Sequence, residues 1–134
     1  MGVAQWKAHF SSGPAEVYRA LSTPLGRSRY WAETADEHDQ VIRFVLSDGR
    51  TDDARIAHAV KDELYQLNYF GRTVTFTLAA DESGGTDLTL SCDDPGGRHD
   101  ADHVALLLRL KAFVDFGVDL RNHDTSRTAH YADS

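Results

Sequence analysis

Residues 3–10, VAQWKAHF, alternate strictly: Ala4, Trp6, Ala8 and Phe10 fall on one side, Gln5, Lys7 and His9 on the other. Period two is the signature of a half-buried strand. In SSGPAEVYRALS (11–22) the period changes. Pro14 suits a first helical position, Glu16 suits the first turn, and Val17, Ala20 and Leu21 make an apolar stripe. Thr23-Pro24 is a second start signal and predicts a short helix ending near Arg29, Tyr30 and Trp31. From residue 40 the alternation returns in QVIRFVLS, ARIAHAV, LYQLNYF, TVTFTLAA and TDLTLSC. Turn residues separate these runs at Asp48-Gly49, Lys61-Asp62-Glu63, Gly71-Arg72 and DESGG (81–85), and DDPGG (93–97) ends the last. Strands joined by short turns predict an antiparallel meander. Val74, Phe76 and Leu78 alternate with Thr73, Thr75 and Thr77, so one face is apolar and the other wet, and Leu88, Leu90 and Cys92 repeat the pattern.

A long helix is predicted over residues 100–121. Asp100 and Asp102 complement its positive end and Arg121 its negative end. Leu106, Leu110, Phe113 and Gly117 share one stripe, with Leu107, Val114 and Val118 beside it. Asn122 is placed to take the left-handed conformation that closes a helix. The tail from about residue 122 is polar and aperiodic and is expected to be mobile.

Composition narrows the function more than the fold. A chain of 134 residues buries about two-thirds of its unfolded surface and supports one real core. Acids outnumber bases 21 to 14, for a net charge of −7. That balance argues against nucleic acid and against an anionic membrane face as partners. Cys92 is the only cysteine, so neither an internal disulfide nor a thiolate zinc cluster is expected. The first residues contain no apolar run of signal-peptide length, and the expectation is a cytoplasmic protein.

The element order, the segments SSGPAEVYRALSTPLGRSRYW (11–31) and GGTDLTLSC (84–92), and the long last helix resemble the START-like, or SRPBCC, superfamily. Within it they resemble most the bacterial homologues of the heat-shock-protein ATPase activator. The likeness spans nearly the whole chain. It implies one α+β domain over 1–134 with a helix-grip fold: a curved antiparallel sheet of six or seven strands wrapped around the C-terminal helix, with two short helices after the first strand. It also implies a cavity between sheet and helix that binds a small apolar molecule. A chaperone or other protein partner is the second reading, and a cyclase- or hydrolase-like enzyme in the same cavity the third. The superfamily holds lipid carriers, cyclases and proteins of no known activity, so the likeness transfers no catalytic residue to a numbered position.

The candidate cavity residues are Trp31, Phe44, His58, Tyr65, Tyr69, Phe76, Cys92, Phe113 and Gly117. Alternation sets His58 with Ala54, Ile56 and Val60, facing inward, where an imidazole either satisfies the core or orients a ligand. Tyr65 and Tyr69 share a face with Leu67, so their hydroxyls need partners inside. Cys92 reads as a small hydrophobe. Gly117, inside the predicted helix, serves either close helix–sheet packing or room for a ligand.

Two further motifs suggest metals. Asp115-Phe116-Gly117 matches a magnesium-binding kinase tripeptide, but it sits in a predicted helix with no phosphate-binding loop before it. His99 and His103 have the four-residue spacing of helical zinc ligands, yet no third ligand is marked, and a solvated helix start is the simpler reading. No cofactor and no catalytic residue are expected.

Overall fold

The acidic stretch Thr34–His38 forms a strand although only Ala35 within it is buried. Asp39 and Gln40, both at positive φ (50° and 63°), turn it into the next strand as a tight hairpin. The computed structural model describes residues 4–93 and 99–134. Val3, most of the DDPGG turn and Arg98 lie outside the described residues. The elements are β1 (Ala4–Phe10), α1 (Pro14–Ser22), α2 (Pro24–Ser28), β2 (Thr34–His38), β3 (Val41–Val45), β4 (Thr51–Val60), β5 (Leu64–Tyr69), β6 (Arg72–Ala80), β7 (Thr86–Cys92) and α3 (Asp100–Phe116). All seven strands pair antiparallel in the order β1-β7-β6-β5-β4-β3-β2. The meander runs from β2 to β7, and β1 closes the far edge against β7. Among the described residues no helix is long and apolar enough to cross a membrane.

One face of the sheet is apolar row by row. Trp6, Leu90, Phe76 and Tyr65 are successive cross-strand neighbours, as are Ala4, Cys92, Val74 and Leu67. Against this face α3 packs on β1, while α1 and α2 cover β5, β6 and β2. Val17, Ala20 and Leu21 of α1 are buried, as their stripe predicts. In α3 the buried residues are His103, Leu106, Leu107 and Leu110, with Phe113 and Val114 partly covered.

Two side chains tie these layers together, and the sequence marks neither for that role. Arg27 is fully buried. Its guanidinium donates to Leu21 O (3.1 Å), Ala35 O (3.0 and 3.3 Å), the Tyr65 hydroxyl (3.2 Å) and Glu37 Oε1 (3.3 Å), joining α1, α2, β2 and β5. Asp115, of the kinase-like tripeptide, has a side chain 1% exposed. It accepts from the Ser11 and Ser12 amides (3.0 and 3.1 Å), the Ser12 hydroxyl (2.8 Å) and Lys111 Nζ (3.3 Å), clasping the β1–α1 loop to α3.

The helix ends five residues earlier than predicted. Gly117 adopts the left-handed conformation (φ 67°), its amide donates to Phe113 O, and the Val118 amide donates to Ala112 O. Gly117 therefore closes α3, and Asn122 does not. An acid at position 119 also disfavours the negative end of a helix. Arg121, expected to serve the helix dipole, is instead buried beyond the helix. It donates to Ala32 O (2.8 Å) and Ser28 O (2.7 Å) and pairs with Asp119 (2.9 Å).

His123 completes this clasp, bridging Asp119 (2.8 Å) and Glu33 (3.0 Å). Hydrogen bonds to Asp119 and then Glu33 raise its pKa above the ordinary 6.5. A raised histidine contributes stability that is fully present below its unfolded value and is lost as pH rises through the folded one. Replacing His123 with Gln is expected to lower the urea midpoint at about pH 5.5 and to leave it nearly unchanged at about pH 8.5. Equal losses at both pH values would exclude an ionic role for His123.

Candidate functional site

The interior between sheet and helices is occupied by side chains. The Trp31 ring lies 4.8 Å from Phe44, 5.5 Å from Tyr69 and 5.6 Å from Phe76, with Phe44 to Tyr69 at 5.0 Å. Phe113 stacks on Tyr30 at 6.1 Å. Trp31, Phe44, Tyr65, Phe76 and Cys92 are buried, whereas Tyr69 and Phe113 are partly so.

The inward hydroxyls take protein partners. Tyr69 accepts from Trp31 Nε1 (3.3 Å), Tyr65 accepts from Arg27 (3.2 Å), and Tyr30 donates to Ala20 O (3.1 Å). Burial pushes the phenols of Tyr65 and Tyr69 up to about 12, in each case opposed by a donated hydrogen bond or a nearby arginine. Such groups stay protonated across the physiological range. They serve as packed anchors, not as proton carriers.

Three sequence expectations fail here, for identifiable reasons. His58 is exposed. Its strand carries a bulge at Ala57: Ile56 opposes Leu67, His58 opposes Gln66 and Ala59 opposes Tyr65. One extra residue reverses the parity, which sends His58 to the outer face and Ala59 to the face of Tyr65. Gly117 lies past the end of α3, and a Cβ built on it meets nothing within 4 Å, so it makes no room for a ligand. His103 is buried, with its ring 5.0 Å from Trp6, rather than solvated at the helix start. The metal reading gains no support, since no cluster of three metal-ligating groups forms among the described residues.

Open space lies at the surface instead. A groove of about 550 Å³ runs between α1–α2 and the C-terminal half of α3. Its apolar lining is Ala20, Leu25, Phe113 and Val114, and its charged lining is Glu16, Arg19 and Arg29. Leu25, on the rim of this groove, is 66% exposed. Thr23 shapes the α1–α2 corner, accepting from the Gly26 amide (3.1 Å) and donating to Arg19 O (2.7 Å). Gly26 permits that corner: a Cβ there would lie 2.8 Å from Ala20 Cα. A second groove of about 420 Å³ lies between Tyr18 of α1, Glu37 of β2 and the bulged part of β4, and it collects His58 and Tyr65. Of the nine candidates, only Phe113 reaches the larger groove.

With a seven-stranded antiparallel sheet, two short helices after the first strand and a long helix on its apolar face, the architecture is settled. The chain has a helix-grip fold. A protein of Staphylococcus saprophyticus shares it at a TM-score of 0.75 and 16% identity, covering 90% of this chain and 96% of that one. The Aha1 dimer from Colwellia psychrerythraea matches at 0.75 and 17%, covering 87% and 98%. A protein of Chromobacterium violaceum matches at 0.67 and 23%, covering 86% and 99%. No protein-family model matches the sequence, and no curated protein does. Identities this low establish a shared fold and nothing finer.

Proposed function

We propose that this chain binds a small molecule with an apolar body and one acidic group, in the groove between α1–α2 and α3. The carrying observation is that Arg19 and Arg29 line an apolar groove without an acidic partner among the described residues, in a chain of net charge −7. Glu16 lines the same groove, but no ion pair joins it to either arginine. A guanidinium beside apolar surface favours a carboxylate or sulfonate, because the charge-assisted bond is strong and geometrically defined. Leu25, Phe113 and Val114 supply the apolar contact, and 550 Å³ falls within the range of small-molecule sites. The filled interior moves the ligand from the space behind α3 to the groove beside it. A chaperone-partner reading rests on fold likeness alone and designates no residue.

Two fluorescent probes test the reading: anilinonaphthalene sulfonate, which is anionic, and the neutral N-phenylnaphthylamine. Arg19→Glu/Arg29→Glu is expected to weaken the sulfonate roughly tenfold or more and to leave the neutral probe nearly unchanged. Leu25→Asp should weaken both, since it removes apolar contact worth up to about 1.5–3 kcal/mol. Absence of sulfonate binding by the parent, or equal binding by the arginine variant, would remove this proposal.

A further inference from the structure

We propose that the outward face of α3 pairs with the same face of a second copy of this chain, antiparallel. The inference is independent of the ligand groove, which uses the other side of the helix. An ordinary surface helix turns apolar residues inward and charges outward. From residue 103 to 116 this helix also turns its charges inward. Arg109 donates to Tyr30 O (2.9 Å), Lys111 donates to His9 O and pairs with Asp115, and Asp115 holds the β1–α1 loop. What remains toward solvent is apolar: Val104, Leu108 and Phe116 are 39%, 53% and 69% exposed, with Ala105 and Ala112 half-buried.

Three arguments select a second copy as occupant. Val104, Leu108, Ala112 and Phe116 form a single four-residue ridge of the kind that packs helix against helix. A two-fold axis through its middle sets Phe116 against the other copy's Val104 and Leu108 against its Ala112, a larger side chain facing a smaller one each time. The exposed parts of Val104, Leu108 and Phe116 leave roughly 300 Å² of apolar surface per copy. Two such faces bury about 600 Å² of apolar surface, which suits a weak, concentration-dependent association rather than a permanent dimer. Charge decides the direction. Parallel helices would bring Asp100 and Asp102 against their own counterparts, whereas antiparallel ones hold these pairs at opposite ends of a helix about 25 Å long. With −7 on each copy, association should strengthen as salt screens the repulsion.

Sedimentation equilibrium of the full chain, from micromolar to near-millimolar concentration at low and physiological salt, tests the proposal. A monomer–dimer equilibrium is expected, tighter at the higher salt. Leu108→Glu and Ala112→Lys should each weaken it at least tenfold, since the two-fold axis puts each substitution into two contacts and a combined loss of about 1.4 kcal/mol suffices. An equimolar mixture of the two variants should regain dimer, because only across the antiparallel interface does the introduced carboxylate of one chain meet the introduced ammonium of the other. Far-UV dichroism of each variant should match the parent, both positions lying on the solvent side. A chain monomeric at every concentration overturns the proposal, whether or not it binds anionic vesicles. So does a dimer indifferent to Leu108→Glu, or variants that do not recover on mixing.

Discussion

Arg27→Ala is expected to lower stability by roughly 3–5 kcal/mol and the melting temperature by about 10–15 °C. Arg27 has no exposed surface, and its donors reach Leu21 O, Ala35 O, the Tyr65 hydroxyl and Glu37. Truncation strands these acceptors where water cannot replace the guanidinium, and an unmet buried polar group costs about 1–3 kcal/mol. The Glu37 pair itself is a small part, because that carboxylate is 34% exposed and its single bond is 3.3 Å long. Glu37→Gln should therefore cost no more than about 1 kcal/mol. Arg27→Lys should recover only part of the loss, since one ammonium cannot reach carbonyls on α1 and β2 and a phenol on β5 together. Thermal melts of the three variants decide the matter. An Arg27→Ala protein melting within a few degrees of the parent would show that the buried network is not structural.

The second large effect belongs to Asp115. Asp115→Ala removes the acceptor for two backbone amides, one hydroxyl and one ammonium, at an expected cost of about 2–4 kcal/mol. Asp115→Asn should cost nearly as much. Its carboxamide offers one acceptor oxygen and turns an N–H₂ toward donors. Burial pushes the Asp115 carboxyl up, but the bonds from Ser11, Ser12 and Lys111 outweigh it and hold the pKa below the ordinary 3.8. A depressed carboxylate contributes stability that is present above its unfolded value and is lost as pH falls through the folded one. The gap in urea midpoint between parent and Asp115→Asn should thus be full at neutral pH and shrink below about pH 3. A gap that persists undiminished in acid would mean that Asp115 acts through packing rather than through its charge.

Local pattern alone was enough for most elements. Strict alternation located β1, β3, β5, β6 and β7, proline with an apolar stripe located α1, the Thr23-Pro24 start signal located α2, and the register from Trp6 to Tyr65 follows from pairing those strands. Strand β2 carried no such signal, because an acidic strand with one buried residue has no alternation to read. Its strand state comes from pairing with β3 and from the anchor that Arg27 makes to Ala35. The end of α3 was ambiguous for a related reason. Residues 117–121 fit the apolar stripe, but a left-handed Gly117 and the bonds of Arg121 to Ser28 and Ala32 fix a different path.

The site was less legible than the fold. The side on which a side chain lies depends on parity along a strand, and one bulged residue, Ala57, was enough to move His58 from the interior to the surface. Burial of Trp31, Phe44, Tyr65 and Phe76 could be read from the sequence, because large apolar side chains on the inward stripe of an element are what the core is built from. Their contacts with one another could not. Whether Trp31, Phe44, Tyr69 and Phe76 leave a cavity or fill it depends on packing among residues far apart in the chain, and packing is a property of three dimensions. The same holds for charge. Arg19, Arg27, Arg29 and Arg109 are equivalent as letters, and tertiary structure alone buries Arg27, turns Arg109 inward and leaves Arg19 and Arg29 beside an apolar groove.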